Sequence, residues 1–103
     1  MAFDGTEGGQ ISKQQGATMT AAHRTANPND RKGHFMGKEI LNQILAQDGC
    51  KGIRVYHGLN SSGERELVFV GADSNENDML DLVADLSKPC PSRCPPTSND
   101  LNS

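Results

Sequence analysis

Nearly all of the strong helix and strand patterning in this 103-residue chain falls in one stretch, Gly33 to Gly71. That concentration limits the fold to a small core built by about one good helix and one good hairpin. Before it lies a polar, glycine-rich start. After it come an acidic stretch and a proline-rich end that carries two of the three cysteines, Cys90 and Cys94. A chain of this length is expected to form one small domain, and small domains bury a smaller share of their surface than large ones. The core must also do without tryptophan and with only four aromatics, Phe3, Phe35, Phe69 and Tyr56. Adding the 11 glycines to the 34% hydrophobic fraction gives about 45%, near the lower edge of the globular range.

The patterning predicts an α+β domain in the order α-α-β-β-α, with an antiparallel hairpin packed on a central amphipathic helix. Residues 1–10 read as a disordered start, 11–89 as the domain and 90–103 as an extended tail. Ser12 and Gln15 have the spacing of a capping box, in which each side chain satisfies the other residue's backbone N–H. Met19, Ala22, His23 and Ala26 follow at helical spacing, and Asn27-Pro28 ends the run, because the residue before proline avoids helical angles. Phe35, Met36, Ile40, Leu41, Ile44 and Leu45 form the wide apolar stripe of the central helix. Gly49 is the expected left-handed C-terminal cap.

Two strands, 52–59 and 64–70, flank Asn60-Ser61-Ser62-Gly63, a turn composition. A tight hairpin pairs Leu59 with Glu64, His57 with Glu66, Val55 with Val68 and Ile53 with Val70. Met79, Leu82, Val83 and Leu86 then repeat at helical spacing and predict a last helix, closed by Lys88 and Pro89. A chain in this order has no parallel crossover, so a doubly wound sheet is not expected.

The net charge is −3, and the densest basic stretch, Arg24 to Lys38, has no interleaved aromatic platform. Phosphate neutralisation needs clustered Lys and Arg, so nucleic acid is not an expected partner. No apolar run approaches the length of a membrane span, and the acidic N-terminus lacks a secretory h-region. The cytoplasm is the expected location, where cysteines normally stay reduced.

The runs Gly33-His-Phe-Met-Gly-Lys-Glu-Ile-Leu, Gln47-Asp-Gly-Cys-Lys-Gly-Ile-Arg-Val-Tyr and Val70-Gly-Ala-Asp, then Asn77-Asp-Met79, resemble small uncharacterised bacterial proteins. Members of that group also tend to end in a Cys-Pro-x-x-Cys-like tail, here Cys90-Pro-Ser-Arg-Cys94. The resemblance covers roughly residues 11 to 94 and implies a natural domain. It brings no activity, substrate or cofactor.

Three constellations carry chemistry. Cys90 and Cys94 fall within zinc-ligand spacing, and Cys50 and His57 would complete a tetrahedral set. The same pair reads equally as two free thiols or as a small-loop disulfide. Asp73, Asn75, Asn77 and Asp81 occupy positions 1, 3, 5 and 9 of a calcium loop. Position 6, which needs glycine, is Asp78, and position 12, which needs an acid, is Ala84, so a solvated acidic loop is the simpler reading. Cys50 with His57 or His34, and an acid such as Asp48, has the composition of an activated nucleophile. A small buried thiol at a helix–strand junction explains Cys50 as well. The glycines match neither dinucleotide nor P-loop spacing.

An isolated hairpin is marginal in water and leaves unpaired edges. The expected function is therefore a non-catalytic module that associates with a protein partner or with itself, as a homodimer, through the hairpin edges. The alternative is a metal- or redox-responsive protein using Cys50, Cys90 and Cys94, with zinc as the cofactor.

Overall fold

A computed structural model describes residues 2–102. Met1 and Ser103, the outermost residues of the N-terminal segment and the tail, lie outside the described residues. The elements are α1 (Lys13–Ala26), β1 (Gly33–Phe35), α2 (Lys38–Leu45), β2 (Gly52–Leu59), β3 (Arg65–Ala72), β4 (Asp78–Ala84) and β5 (Lys88–Cys90). The class is α+β, with two helices and two antiparallel sheets, β1-β5 and β2-β3-β4. The expected order α-α-β-β-α is corrected to α-β-α-β-β-β-β.

The chain divides into two compact units, each built from two separate stretches. The first comprises residues 1–8 and 36–87, the second 9–35 and 88–103.

In the first unit, α2 starts after Gly37, which contributes no side-chain cap, and is capped by Ala46, whose N–H donates to Asn42 O, while Gln47 N–H donates to Ile44 O. Gly49 does not cap it directly. With φ +83, Gly49 instead turns the chain toward Cys50, whose N–H donates to Gln47 O at 3.0 Å. Phe35 leaves the helix and joins β1. Ile44, fully buried, lies over Gly71 of β3, where an added Cβ would come within 3.4 Å of Ile44 Cγ2.

The hairpin register is one residue away from the tight pairing: Leu59 faces Arg65, His57 faces Leu67, Val55 faces Phe69 and Ile53 faces Gly71. The turn causes the shift. Asn60 N donates to Glu64 O and Gly63 N to Asn60 O, while Gly63 takes φ +79. This is a three-residue loop with a left-handed glycine bulge. Asn60 Oδ1 accepts from Ser62 N and Glu64 N, both at 2.9 Å, which locks the loop. A one-residue slip exchanges the faces of a strand. Val68 and Val70 therefore share a face with Tyr56 and Arg54, opposite the face that Gly71 presents to Ile44.

The last predicted helix is a strand. Asp73 N donates to Asn77 O at 3.1 Å and Glu76 N to Asp73 O at 3.0 Å, and Glu76 adopts φ 69. The polar loop is thus a reverse turn that sends β4 back along β3. Ala72 faces Asp78 and Gly71 faces Met79, but Val70 faces Val83. A bulge at 80–82 absorbs the difference, and it gives Met79, Leu82 and Val83 their apparently helical spacing. Leu86 has φ 63, a left-handed conformation that would break a helix.

In the second unit, Ser12 and Gln15 form the reciprocal capping box of α1, with bonds of 3.0 and 2.9 Å. Asn27 N closes the helix on His23 O at 2.8 Å. His23 Nε2 lies 3.0 Å from Arg31 O, and since a carbonyl only accepts, that nitrogen carries the proton. β1 pairs with β5 so that Gly33 faces Cys90 and Phe35 faces Lys88. The tail is tied to this unit by Arg24 Nη1 to Leu101 O (2.8 Å), Lys32 Nζ to Asn102 O (2.9 Å) and the Lys13–Asp100 ion pair (3.3 Å).

Candidate functional site

Strand β2 is eight residues long and, among the described residues, pairs on one side only. Antiparallel ladders alternate hydrogen-bonded and non-hydrogen-bonded pairs. Because Asn60 N bonds to Glu64 O, the bonded pairs along β2 are those at Gly58, Tyr56 and Arg54. The backbone groups of Ile53, Val55, His57 and Leu59 then point away from the sheet. Protected edges use proline, charged side chains or a bulge; β2 has no proline or bulge, and its one full charge, Arg54, is paired with Asp78. The other edge, β4, carries a bulge and the acids Asp78 and Asp81. Exposed apolar side chains also gather on β2: Leu59 is 73% exposed, Tyr56 46% and Val55 44%.

One face of β2 holds a polar cluster. Arg54 Nη1 pairs with Asp78 Oδ1 and donates to Glu76 O at 3.2 Å, and Tyr56 Oη donates to Asp78 Oδ2 at 2.5 Å. The Phe3 ring centroid lies 5.5 Å from the Arg54 guanidinium carbon, within cation–π range. Phe3 N donates to Ser74 O at 3.0 Å, so the N-terminal strip of this unit runs beside the β3–β4 turn. The hydrogen bond from Tyr56, then the Arg54 contact, hold the Asp78 carboxyl below its ordinary value. The same bond to Asp78 raises the Tyr56 phenol, and Arg54 is raised chiefly by its bond to Asp78. In the strip, the Thr6 hydroxyl donates to Asp4 Oδ1 at 2.6 Å and, with the Thr6 N–H, lowers the Asp4 carboxyl. The only sequence hint of the Arg54–Tyr56–Asp78 cluster is the i, i+2 spacing of Arg54 and Tyr56. Asp78 becomes their partner through the β3–β4 register.

Cys90 and Cys94 form a disulfide, with Cα atoms 4.6 Å apart. Lys32 N donates to Cys90 O and Arg93 N to Pro89 O, so the loop continues the β1–β5 pairing. Their sulfurs are bonded to each other, so neither is a thiolate ligand in this state. Cys50 is a half-buried free thiol in the first unit and donates to Gly52 O at 3.2 Å, a bond to backbone and not to a histidine. His57 is exposed, opposite Leu67 instead of Glu66. Among the described residues no group of three or more His, Cys, Asp or Glu side chains is placed to hold a metal ion.

Of the calcium-loop residues, Asp73 Oδ1 accepts from Asn75 N at 2.9 Å and Asn77 N at 3.0 Å. Asp73 thus organises the turn, while Asp81 lies exposed in the β4 bulge. No helix among the described residues is long and apolar enough to cross a membrane. Comparison with known proteins gives no match to a family model, a curated protein or a solved structure.

Proposed function

We propose that this chain is a small non-catalytic association module that pairs strand β2 with a strand of a protein partner, in the first instance a second copy of itself. The supporting observation is the eight-residue β2 edge, with the outward positions Ile53, Val55, His57 and Leu59 and no protective proline, lysine or bulge. Strand addition draws its affinity from main-chain hydrogen bonds and its selectivity from alternate side chains. Two copies of β2 running antiparallel would satisfy one another's outward groups and shield Val55 and Leu59. Nucleic acid and membrane are not proposed as partners. The net charge of −3 argues against the first.

The test is mass as a function of concentration, by native mass spectrometry and sedimentation, on the wild type and two variants. Val55→Pro removes an outward N–H while leaving the ladder to β3 intact, as proline is tolerated on edge strands. Leu59→Lys adds the charge that protected edges carry. The wild type should dimerise with rising concentration and both variants should stay monomeric. A monomeric wild type throughout, or an unimpaired Val55→Pro dimer, rejects the reading.

The Cys90–Cys94 bond favours a second reading, redox response. A reducing cytoplasm would open this pair and an oxidising compartment would close it. Thiol counting across a glutathione series, with Cys50 as the internal free thiol, would show whether the transition falls in the cellular range. The zinc alternative applies only to the reduced pair, and native mass spectrometry of reduced protein with added zinc tests it.

A further inference from the structure

We infer that the second unit binds a small organic anion carrying an apolar ring, in the cavity between the β1–β5 strand pair and the disulfide loop. This rests on the second unit alone and does not depend on association through β2. The cavity measures about 550 Å³, within the ordinary size range of small-molecule sites. Its wall combines two chemistries. Phe35, Pro95 and Leu101 supply apolar surface, and Lys32, Lys88 and Arg93 supply three cationic side chains.

No aspartate or glutamate is among the lining residues, although the chain as a whole carries −3. The nearby acid of the tail, Asp100, is ion-paired with Lys13. The register sets Lys88 directly across from Phe35, which puts a charge beside an aromatic wall. Lys32 Nζ is anchored on Asn102 O at 2.9 Å, and the Arg93 backbone is anchored on Pro89 O. One of the three cations, the Lys32 ammonium, is therefore tethered before any ligand arrives, and the backbone bond fixes where the Arg93 side chain starts. Tethering lowers the ordering cost of binding. Arg93 offers a planar fork suited to a carboxylate, sulfonate or phosphate, and the lysines act as point charges.

The probe is naphthoate, with naphthamide as the neutral control of the same shape. The chain has no tryptophan, so naphthalene fluorescence reports binding against a low background, and amide chemical-shift mapping locates the site. Naphthoate should shift amides in 32–35, 88–94 and 101–102 and should weaken with added salt. Naphthamide, which forgoes the charge contacts, should bind about a hundredfold more weakly or worse. Lys88→Gln/Arg93→Gln should reduce naphthoate affinity by about a hundredfold, at about tenfold per cation, and leave naphthamide unchanged. Lys88→Arg should retain binding, which separates loss of charge from loss of folding. Shifts that map elsewhere, equal affinity for acid and amide, an unchanged double variant, or no binding at millimolar naphthoate each overturn the proposal.

Discussion

Asp78 receives the Tyr56 hydroxyl on one oxygen and Arg54 on the other, so its ionised form is favoured in the folded state. A carboxyl with a lowered folded value adds stability above its unfolded value, and that stability is lost as pH falls through the folded one. The phenol is raised, so its share is present below the ordinary tyrosine range and is lost as it ionises. Urea midpoints of wild type and Asp78→Asn should therefore differ at neutral pH and converge below about pH 4. Tyr56 is the single tyrosine, so the tyrosinate absorbance of the folded protein reports it alone and should appear above about pH 10. Gly71 is the second decisive residue. A Cβ there would meet Gln47 Nε2 at 2.9 Å and Cys50 Sγ at 3.0 Å. Alanine recovers roughly 0.5–1 kcal/mol of strand entropy, but overpacking costs about 1–3 kcal/mol, so Gly71→Ala should destabilise by about 1 kcal/mol. Denaturation of Gln47→Ala/Gly71→Ala should show less than the sum of the single losses, by at least about 0.5 kcal/mol. Neither relation could be read from the sequence, since Gln47 and Gly71 carry no pattern that links them.

At the scale of elements, legibility followed how local the determining signal was. The α1 cap lies within four consecutive residues, Ser12 to Gln15, and was visible. The α2 stripe was visible through Ile40, Leu41 and Ile44, although Phe35 and Met36 extended it too far. The hairpin was visible, but its register depended on Gly63 taking a positive φ one residue inside the loop. Strand β4 was misread as a helix because its bulge spaces Met79, Leu82 and Val83 three and four apart. Strands β1 and β5 are three residues each, too short for any period, and β5 contains a proline. The turn offers the test. Gly63→Ala should cost about 1–2 kcal/mol for a left-handed alanine. Asn60→Ala, which removes an acceptor shared by two N–H groups, should cost about 1–2 kcal/mol. Thermal unfolding measures both, and the β2–β3 amides should lose exchange protection first in Asn60→Ala.

For the whole molecule, the two cysteines could be read as thiols, as a metal pair or as a disulfide, and the fold selects the disulfide by closing it on the β1–β5 pair. The chain-entropy model assigns a loop this short roughly 2 kcal/mol. Reduction, or Cys90→Ser/Cys94→Ser, should therefore lower amide exchange protection at 32–35 and 88–90 while the β2–β3 amides keep theirs. Equal loss in both sets would show that the two units open together. The cation-lined cavity was not legible, because its walls come from residues more than fifty positions apart, such as Lys32 and Lys88. That separation has a consequence for biosynthesis. Helix α1 and the residues of β1 leave the ribosome well before their strand partner and anchoring tail, which lie more than fifty residues further along the chain. The second unit therefore closes only once β5 and the tail have been made, and a stop codon placed just after Ser87 would release a chain in which residues 9–35 lack the partners that close the second unit.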